Sequence, residues 1–469
     1  MKTFISHLRA PLLCCAFVLC TLIAACGGAG ISIAMGGVGS GGSGVAEGAV
    51  SGFGSVIVAG VEYDDTNANV VTENASGQRN LTEVKLGQRV RILQSKASVA
   101  DSIQVLPQLM GPASSAQDGH GTFQILGQTV QIIASSDAQN TATVLDGLTN
   151  VSAGDELEVH GNWVFDNTRN YAILIATRIE KLSTVTDPVL VSGVIRTRNN
   201  TVITFDNAGG QTLQYSNLPS TLGAQNLISA WIPRTALNSS PWLATRVVDA
   251  SPSLADNDHL VLNTQITDRD LAQGEIRVQG LRVKLTDSFS ATAPTVGSTV
   301  QIEIVRAGND YKTVALTKRQ NTNELGGSVE LKGSLLWPSN PAQLNLRGNL
   351  VNVPSAALGN NCASLNTNDS VYLEISAQRV GSGQPLLATR VACNPQIPNG
   401  SVIEVSGTLT QLNTSTKTIQ VSTNKGLITL IWNSATLQPS NLNNLLNNRV
   451  EIEYQSINGE NRLRKIKPD

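Results

Sequence analysis

Aromatic residues make up only 4% of this 469-residue chain and charged residues 14%, and there are 4 histidines and 3 methionines. Scarce aromatics leave little for a base-stacking groove, and a formal charge of −2 lacks the basic footprint of a nucleic-acid binder, so no nucleic acid is expected as a partner. The near balance of charge also implies no long-range steering of a charged ligand. His7, His120, His160 and His259 show no metal-ligand spacing, so no metal and no other cofactor is expected. No Gly-x-Ser-x-Gly elbow sits between a strand and a helix, and no other catalytic signature is recognisable, so no enzyme activity is expected. What is abundant is aliphatic residues, Thr, Ser, Asn and 41 glycines, the composition of β-structure with polar turns.

The first residues read MKTFISHLRAPLLCCAFVLCTLIAAC. Lys2 and Arg9 precede an apolar run, Leu12 to Ile23, that is too short for a comfortable membrane span and right for a signal peptide over 1–25. The ending Leu22-Ile23-Ala24-Ala25-Cys26 resembles a bacterial lipobox. That resemblance implies lipidation of Cys26, with membrane attachment through the lipid; Gly27 in place of Asp favours the outer membrane, on its periplasmic face or the cell surface. The glycine-rich stretch 26–44 is a tether, because its glycines would lose too much entropy on folding. No Lys-Ser/Thr follows these glycines, which argues against a phosphate loop.

Beyond the tether the chain repeats a small antiparallel β unit. The clearest copy gives five β-prone runs, Val189–Arg196, Thr201–Asp206, Gln211–Ser216, Leu227–Pro233 and Trp242–Asp249, separated by Asn, Gly and Pro. One landmark is Ala-Thr-Arg near the end of a unit, at Ala176-Thr177-Arg178, Ala244-Thr245-Arg246 and Ala388-Thr389-Arg390, with the looser Leu316-Thr317-Lys318 between the last two. A second is an alternating strand such as Thr299-Val300-Gln301-Ile302-Glu303-Ile304, whose period of two buries one face and wets the other. A third is a hairpin with Gly at its tip, as in Ile125-Leu126-Gly127-Gln128 and Val278-Gln279-Gly280-Leu281, where a primed turn needs positive φ. The fold class expected is all-β, a tandem array of about six five-stranded barrels. The units are 45–110, 111–185, 186–254, 255–322, 323–397 and 398–469, and a two-layer sandwich is the main rival.

The stretch Gly52 to Asp64, GFGSVIVAGVEYD, resembles the opening signature of the bacterial domain-of-unknown-function family 5666, found in secreted proteins and lipoproteins. The resemblance is strong in the first unit and weaker in the rest. It implies a compact barrel akin to the oligonucleotide/oligosaccharide-binding fold, and it brings no catalytic residues.

Cys362 and Cys393 are the only cysteines beyond Cys26, and an exported chain meets oxidising conditions, so they are expected to pair. His160 closes an alternating strand and is expected to face solvent or a barrel end. Asp268, Asp270 and Glu275 fail the EF-hand spacing and read as a polar loop before a strand, and Asp64-Asp65 as turn caps. Trp163, Trp231, Trp242, Trp337 and Trp432 fall at non-equivalent positions and read as packing. The recurring Arg178, Arg246 and Arg390 read as a solvent face, with a ligand-facing row as the alternative. These features point to a non-catalytic, lipid-anchored envelope protein that binds or scaffolds an envelope protein or glycan. Carbohydrate or exopolysaccharide binding is the alternative, followed by single-stranded nucleic acid and a secreted hydrolase.

Overall fold

The computed structural model describes residues 44–468, apart from 60, 66, 97, 135–141, 253, 287–293, 319–327, 379–383, 395–399, 424–425, 433–435, 437–441 and 458, and apart from the side chains of 299, 318 and 328. The leader, Cys26 and the tether before Gly44 lie outside the described residues, as do the expected boundaries at 322 and 397. The first set of strands is β1 (Gly44–Phe53), β2 (Val56–Val58), β3 (Val61–Tyr63), β4 (Asn69–Glu73), β5 (Arg79–Leu81), β6 (Arg89–Gln94) and β7 (Ser102–Val105). β1 pairs antiparallel with β2 and β6, β2 with β3, and β6 with β7, while a parallel bridge between Asp64 and Val99 joins the end of β3 to the approach to β7. The ring therefore closes as a five-stranded barrel, with the third and fifth strands running parallel. The β4–β5 hairpin stands outside the ring, with β4 parallel to β7.

The same pairing order recurs in β8 (Leu109–Pro112), β9 (Thr122–Ile125), β10 (Gln128–Ile132), β11 (Val144–Asp146), β12 (Glu156–Asp166) and β13 (Tyr171–Lys181). Leu109 and Met110 ladder with Val159 and Glu158, so they belong with this second set rather than with the first, where the sequence boundary put them. The third set is β14 (Val189–Asn199), β15 (Val202–Phe205), β16 (Thr212–Gln214), β17 (Leu227–Ile232), β18 (Trp242–Leu243) and β19 (Arg246–Asp249). Its strands follow the five expected runs, with the fifth broken into β18 and β19. The fourth set is β20 (His259–Asp270), β21 (Glu275–Val278), β22 (Leu281–Lys284), β23 (Thr299–Ala307) and β24 (Asp310–Lys318), and it closes in the same order. The fifth is β25 (Ser328–Leu336), β26 (Gln343–Leu346), β27 (Asn349–Asn352), β28 (Ser370–Gln378) and β29 (Leu386–Asn394). The sixth, closing like the fourth, is β30 (Val402–Asn413), β31 (Thr418–Thr423), β32 (Gly426–Ile431), β33 (Arg449–Ile457) and β34 (Glu460–Pro468). Helical elements among the described residues are short 3-10 turns.

Sequence explains the local geometry. At three hairpin tips the residue before the glycine and the glycine itself both have positive φ, 50° and 70° at Leu126-Gly127, 47° and 78° at Gln279-Gly280, and 53° and 73° at Arg347-Gly348, as a type I′ turn demands. The long first strands bend at a bulge, where the register skips Ser51, Arg196, Thr267 and Thr410. At three of these the hydroxyl donates across the ladder, Ser51 to the Ile57 carbonyl at 3.3 Å, Thr267 to Arg277 at 3.2 Å and Thr410 to Gln420 at 3.2 Å. Before the bulge the strand pairs with its own fourth strand; after it, with its own second.

That division leaves one edge of each half unclaimed by the strand's own barrel, and other sets dock there. β1 pairs in parallel with β20 over 44–47 and with β25 over 52–53, β25 with β30 over 334–335, and β8 antiparallel with β14. Gly52 permits one of these joints, because a Cβ there would lie 2.4 Å from the Glu330 carbonyl oxygen. β25 has both edges occupied by β28, β1 and β30, which explains why no β25–β26 ladder closes the fifth set among the described residues.

The cores follow the same joints. Phe53, Val56 and Ile103 of the first set share one cluster with Leu331, Leu373 and Val391 of the fifth. Phe123, Trp163 and Leu174 of the second share another with Ile195, Phe205 and Ile228 of the third. The fourth and sixth sets centre on clusters of their own, around Ile276 and Ile304 and around Leu409 and Ile452. The barrels are tandem in sequence, but in space they are fused.

Candidate functional site

Where four sets meet there is a cleft of about 650 Å³. The first set contributes Leu81 to Leu86 and Asp65, the second β11 and Arg178, the fifth the hairpin tip Arg347 to Leu350, and the sixth β33 and β34. Ion pairs between sets tie its walls together. Lys85 reaches Glu180 at 2.7 Å, Arg347 reaches Asp65 at 3.1 Å and Lys465 reaches Glu83 at 2.7 Å, while Arg178 pairs with Asp146 and donates to the Leu86 carbonyl at 3.2 Å.

Burial pushes the Asp65 carboxyl up, but the Arg347 and Arg464 guanidiniums outweigh it and hold the group below its ordinary value. Glu180 is lowered in the same way, its burial overcome by Lys85 and Arg178. For Lys465 burial pulls down and Glu453, Glu83 and Glu404 prevail, so its ammonium is stabilised. Behind the cleft Glu404 behaves oppositely. Burial, a hydrogen bond with Glu451 and the charge of Glu453 push it up to about 8, while one of its oxygens accepts the Arg347 amide at 3.0 Å.

Several residues singled out from sequence lie elsewhere. Cys362 and Cys393 form a disulfide with a 5.2 Å Cα separation, buried in the core shared by the first and fifth sets. Cys26 lies outside the described residues. His160 is fully buried rather than facing solvent; its Nδ1 accepts the Arg89 amide at 3.3 Å and its Nε2–H donates to Glu158 at 2.8 Å, because the second and first sets pack there. The tryptophans are all buried, the packing reading. Arg178 is 5% exposed within the cleft wall, and Arg246 lies 4.5 Å over the Trp231 ring and pairs with Glu73 of the first set, so these two are joints between barrels. Only Arg390 of that row is exposed. The stretch read as a polar loop before a strand is instead a hairpin. Asp268 lies in β20 opposite Arg277 of β21 with its carboxylate 3.6 Å from that guanidinium, and Asp270 ends β20 opposite Glu275 and accepts the Gln273 amide of the turn. No metal-holding cluster occurs among the described residues. Asp65, read as a turn cap, is instead the buried anion between Arg347 and Arg464.

The Ala-Thr-Arg landmark marks a second bulge, in the fifth strand. The register skips Thr177 in β13, Thr389 in β29, Val314 in β24 and Arg464 in β34. In the fourth set the equivalent segment is thus Thr313-Val314-Ala315, three residues before the Leu316-Thr317-Lys318 that sequence similarity suggested. In the sixth it is Leu463-Arg464-Lys465, which carries no similarity to the motif and places an arginine in the cleft. No protein-family model matches the chain, and no curated protein matches it either.

Proposed function

We propose that the protein is a non-catalytic, lipid-anchored component of the bacterial envelope whose fused barrels present the four-walled cleft to a ligand. The observation that carries this reading is the set of ion pairs holding the cleft walls, Lys85–Glu180, Arg347–Asp65 and Lys465–Glu83, each between residues of different sets. Walls fixed before a ligand arrives reduce the ordering cost of binding, which suits recognition. Asp65, the buried carboxylate of the lining, is held low by Arg347 and Arg464, and a carboxylate so held is a poor proton acceptor, which supports binding over acid–base chemistry there. Leu22 to Cys26 supports the anchor, and Gly27 after it supports the outer-membrane address.

Crosslinking in intact cells with a photoreactive residue at Asn349 tests the reading, since Asn349 lines the cleft. A reproducible glycan or protein adduct is expected, and its absence, or an equal adduct yield from exposed Arg390, overturns it. Labelling with a fatty-acid probe should be lost on Cys26→Ser. Carbohydrate binding is the second reading, favoured by the hydroxyls and amides of Thr82, Asn67, Asn349 and Gln384 in the lining.

A further inference from the structure

Arg464 is the residue the β33–β34 register leaves over, between the Glu453–Lys465 and Tyr454–Leu463 pairs. A bulge re-aims the side chain it carries. In three other sets the same place holds Thr177, Val314 or Thr389, none of them charged, and only Thr177 reaches another set, through one hydroxyl bond to the Gly87 carbonyl at 2.6 Å. Here it holds a guanidinium with five donors in a planar fork. That fork is poorly used. Nη2 lies 3.5 Å from the Asp65 carbonyl oxygen and 3.8 Å from its carboxylate, and Nη1 is buried with no partner. The Asp65 carboxylate is meanwhile held by Arg347 at 3.1 Å. A guanidinium whose side chain is only 20% exposed and whose Nη1 has no partner is suited to an oxyanion that takes the fork.

Net charge does not supply the attraction. The lining carries more cations than anions, but Glu180, Glu451 and Glu460 neutralise Lys85, Lys467 and Arg462 from just outside it. Recognition therefore rests on a local fork rather than on a field, which disfavours a polyanion read through many phosphates. Base stacking is disfavoured too, since Phe53 is 2% exposed and covered by the Arg347 guanidinium 5.2 Å from its centroid. Thr82, Asn67 and Gln384 offer the donors and acceptors that sugar hydroxyls need, and Asn349 adds its amide oxygen, its nitrogen being engaged by the Leu346 and Arg347 carbonyls.

We propose that the cleft binds an acidic oligosaccharide, with Arg464 gripping one of its oxyanions and the amide and hydroxyl side chains taking its hydroxyls. This rests on the envelope-binding reading and names the ligand chemistry for the same site. The oxyanion is a sugar carboxylate or a sulfate or phosphate ester, and the fork accepts either.

The test is calorimetric titration of the detergent-solubilised full chain with tetragalacturonate, a sulfated dextran oligomer and neutral maltotetraose. At least one acidic oligosaccharide should bind at least about tenfold more tightly than maltotetraose, with the preferred one identifying the oxyanion. Arg464→Lys, which keeps the charge and loses the fork, should weaken that binding about tenfold with Tm unchanged, and Arg464→Gln should weaken it further. Thr82→Val, in the lining and outside the ion pairs, provides a second reading of the cleft should Arg464→Gln not fold, and should also weaken binding. Equal affinity for neutral and acidic sugars, wild-type binding by Arg464→Lys, no binding of any acidic oligosaccharide, or preference for oligo-dT with a steep salt dependence would each overturn the proposal. If the cell crosslink at Asn349 still yields a protein or a neutral glycan, the envelope reading stands while the acidic-sugar assignment falls.

Discussion

The two fused cores are built from different distances along the chain. The second and third sets are neighbours in sequence, and their strands share one core through the β8–β14 ladder. The first and fifth sets share theirs across a gap that brings Gly52 to Glu330. A short connection closes cheaply and lets the two barrels form together as soon as both are made. The first barrel, by contrast, must wait for β25 before its core is covered, and it depends on polar joints in the meantime. Glu47 is the clearest of these. It is buried against Arg89 and Arg91, and those arginines reach on to Asn162 of the second set and the Ala250 carbonyl of the third. Charge is used at both kinds of joint, Arg234 to Glu156 at 2.6 Å between the third and second sets and Arg347 to Asp65 at 3.1 Å between the fifth and first, so what separates the two cores is the length of chain that must close.

The largest expected effect is all or none. Residues 107–252, expressed alone, should unfold cooperatively in urea with dispersed amide resonances, and residues 44–106 should not fold; a cooperative transition for the latter would erase the contrast. Next comes Glu47→Ala in the full chain, expected to cost about 3–5 kcal/mol in chemical denaturation by stranding Arg89 in a dry site. Because burial raises Glu47 and the two arginines lower it further, its contribution is present above its unfolded value and lost as pH falls through its folded value. Replacing both Cys362 and Cys393 by Ala should cost about 3–4 kcal/mol in the chain-entropy model. The loss should fall on the first-and-fifth core, leaving the 107–252 transition where it was.

The smallest effect concerns the joint between the fifth and sixth sets. Glu404 has its folded pKa raised to about 8 from an ordinary 4.5, so the folded state holds the extra proton between those values and stability falls as pH rises through them. Glu451, Glu453 and Lys467 are the charged groups that set this balance. Glu404→Gln keeps an acceptor for the Arg347 amide and removes the charge. It should therefore gain on the order of 1–2 kcal/mol over wild type at pH 9 and nothing at pH 5, read as the difference in urea midpoint. A wild-type midpoint that is flat from pH 5 to pH 9 would contradict the assignment.

Local chemistry was legible in the sequence and neighbourhood was not. The Gly-tipped hairpins at Gly127, Gly280 and Gly348, the five runs of the third set and the Cys362–Cys393 pair all depend on residues close in the chain or on scarcity, and all appear as expected. Bulges are harder, because a skipped residue leaves the alternation intact on either side; Thr177 and Thr389 were visible only as a repeated tripeptide, and Val314 was mistaken by three positions. The cleft was invisible, since nothing around Asp65 says that Arg347 and Arg464 will converge on it. Burial of His160 likewise depends on which barrel lands against which, and nothing near it in the chain points to Arg89 as its partner.

Those half-claimed strands also settle how the body would answer traction. A pull entering at residue 44 runs along β1, which is clasped by β6 on one side and β20 on the other over the same few residues. Its rungs would be sheared together rather than unzipped singly, so the weakest link under tension should lie elsewhere in the chain.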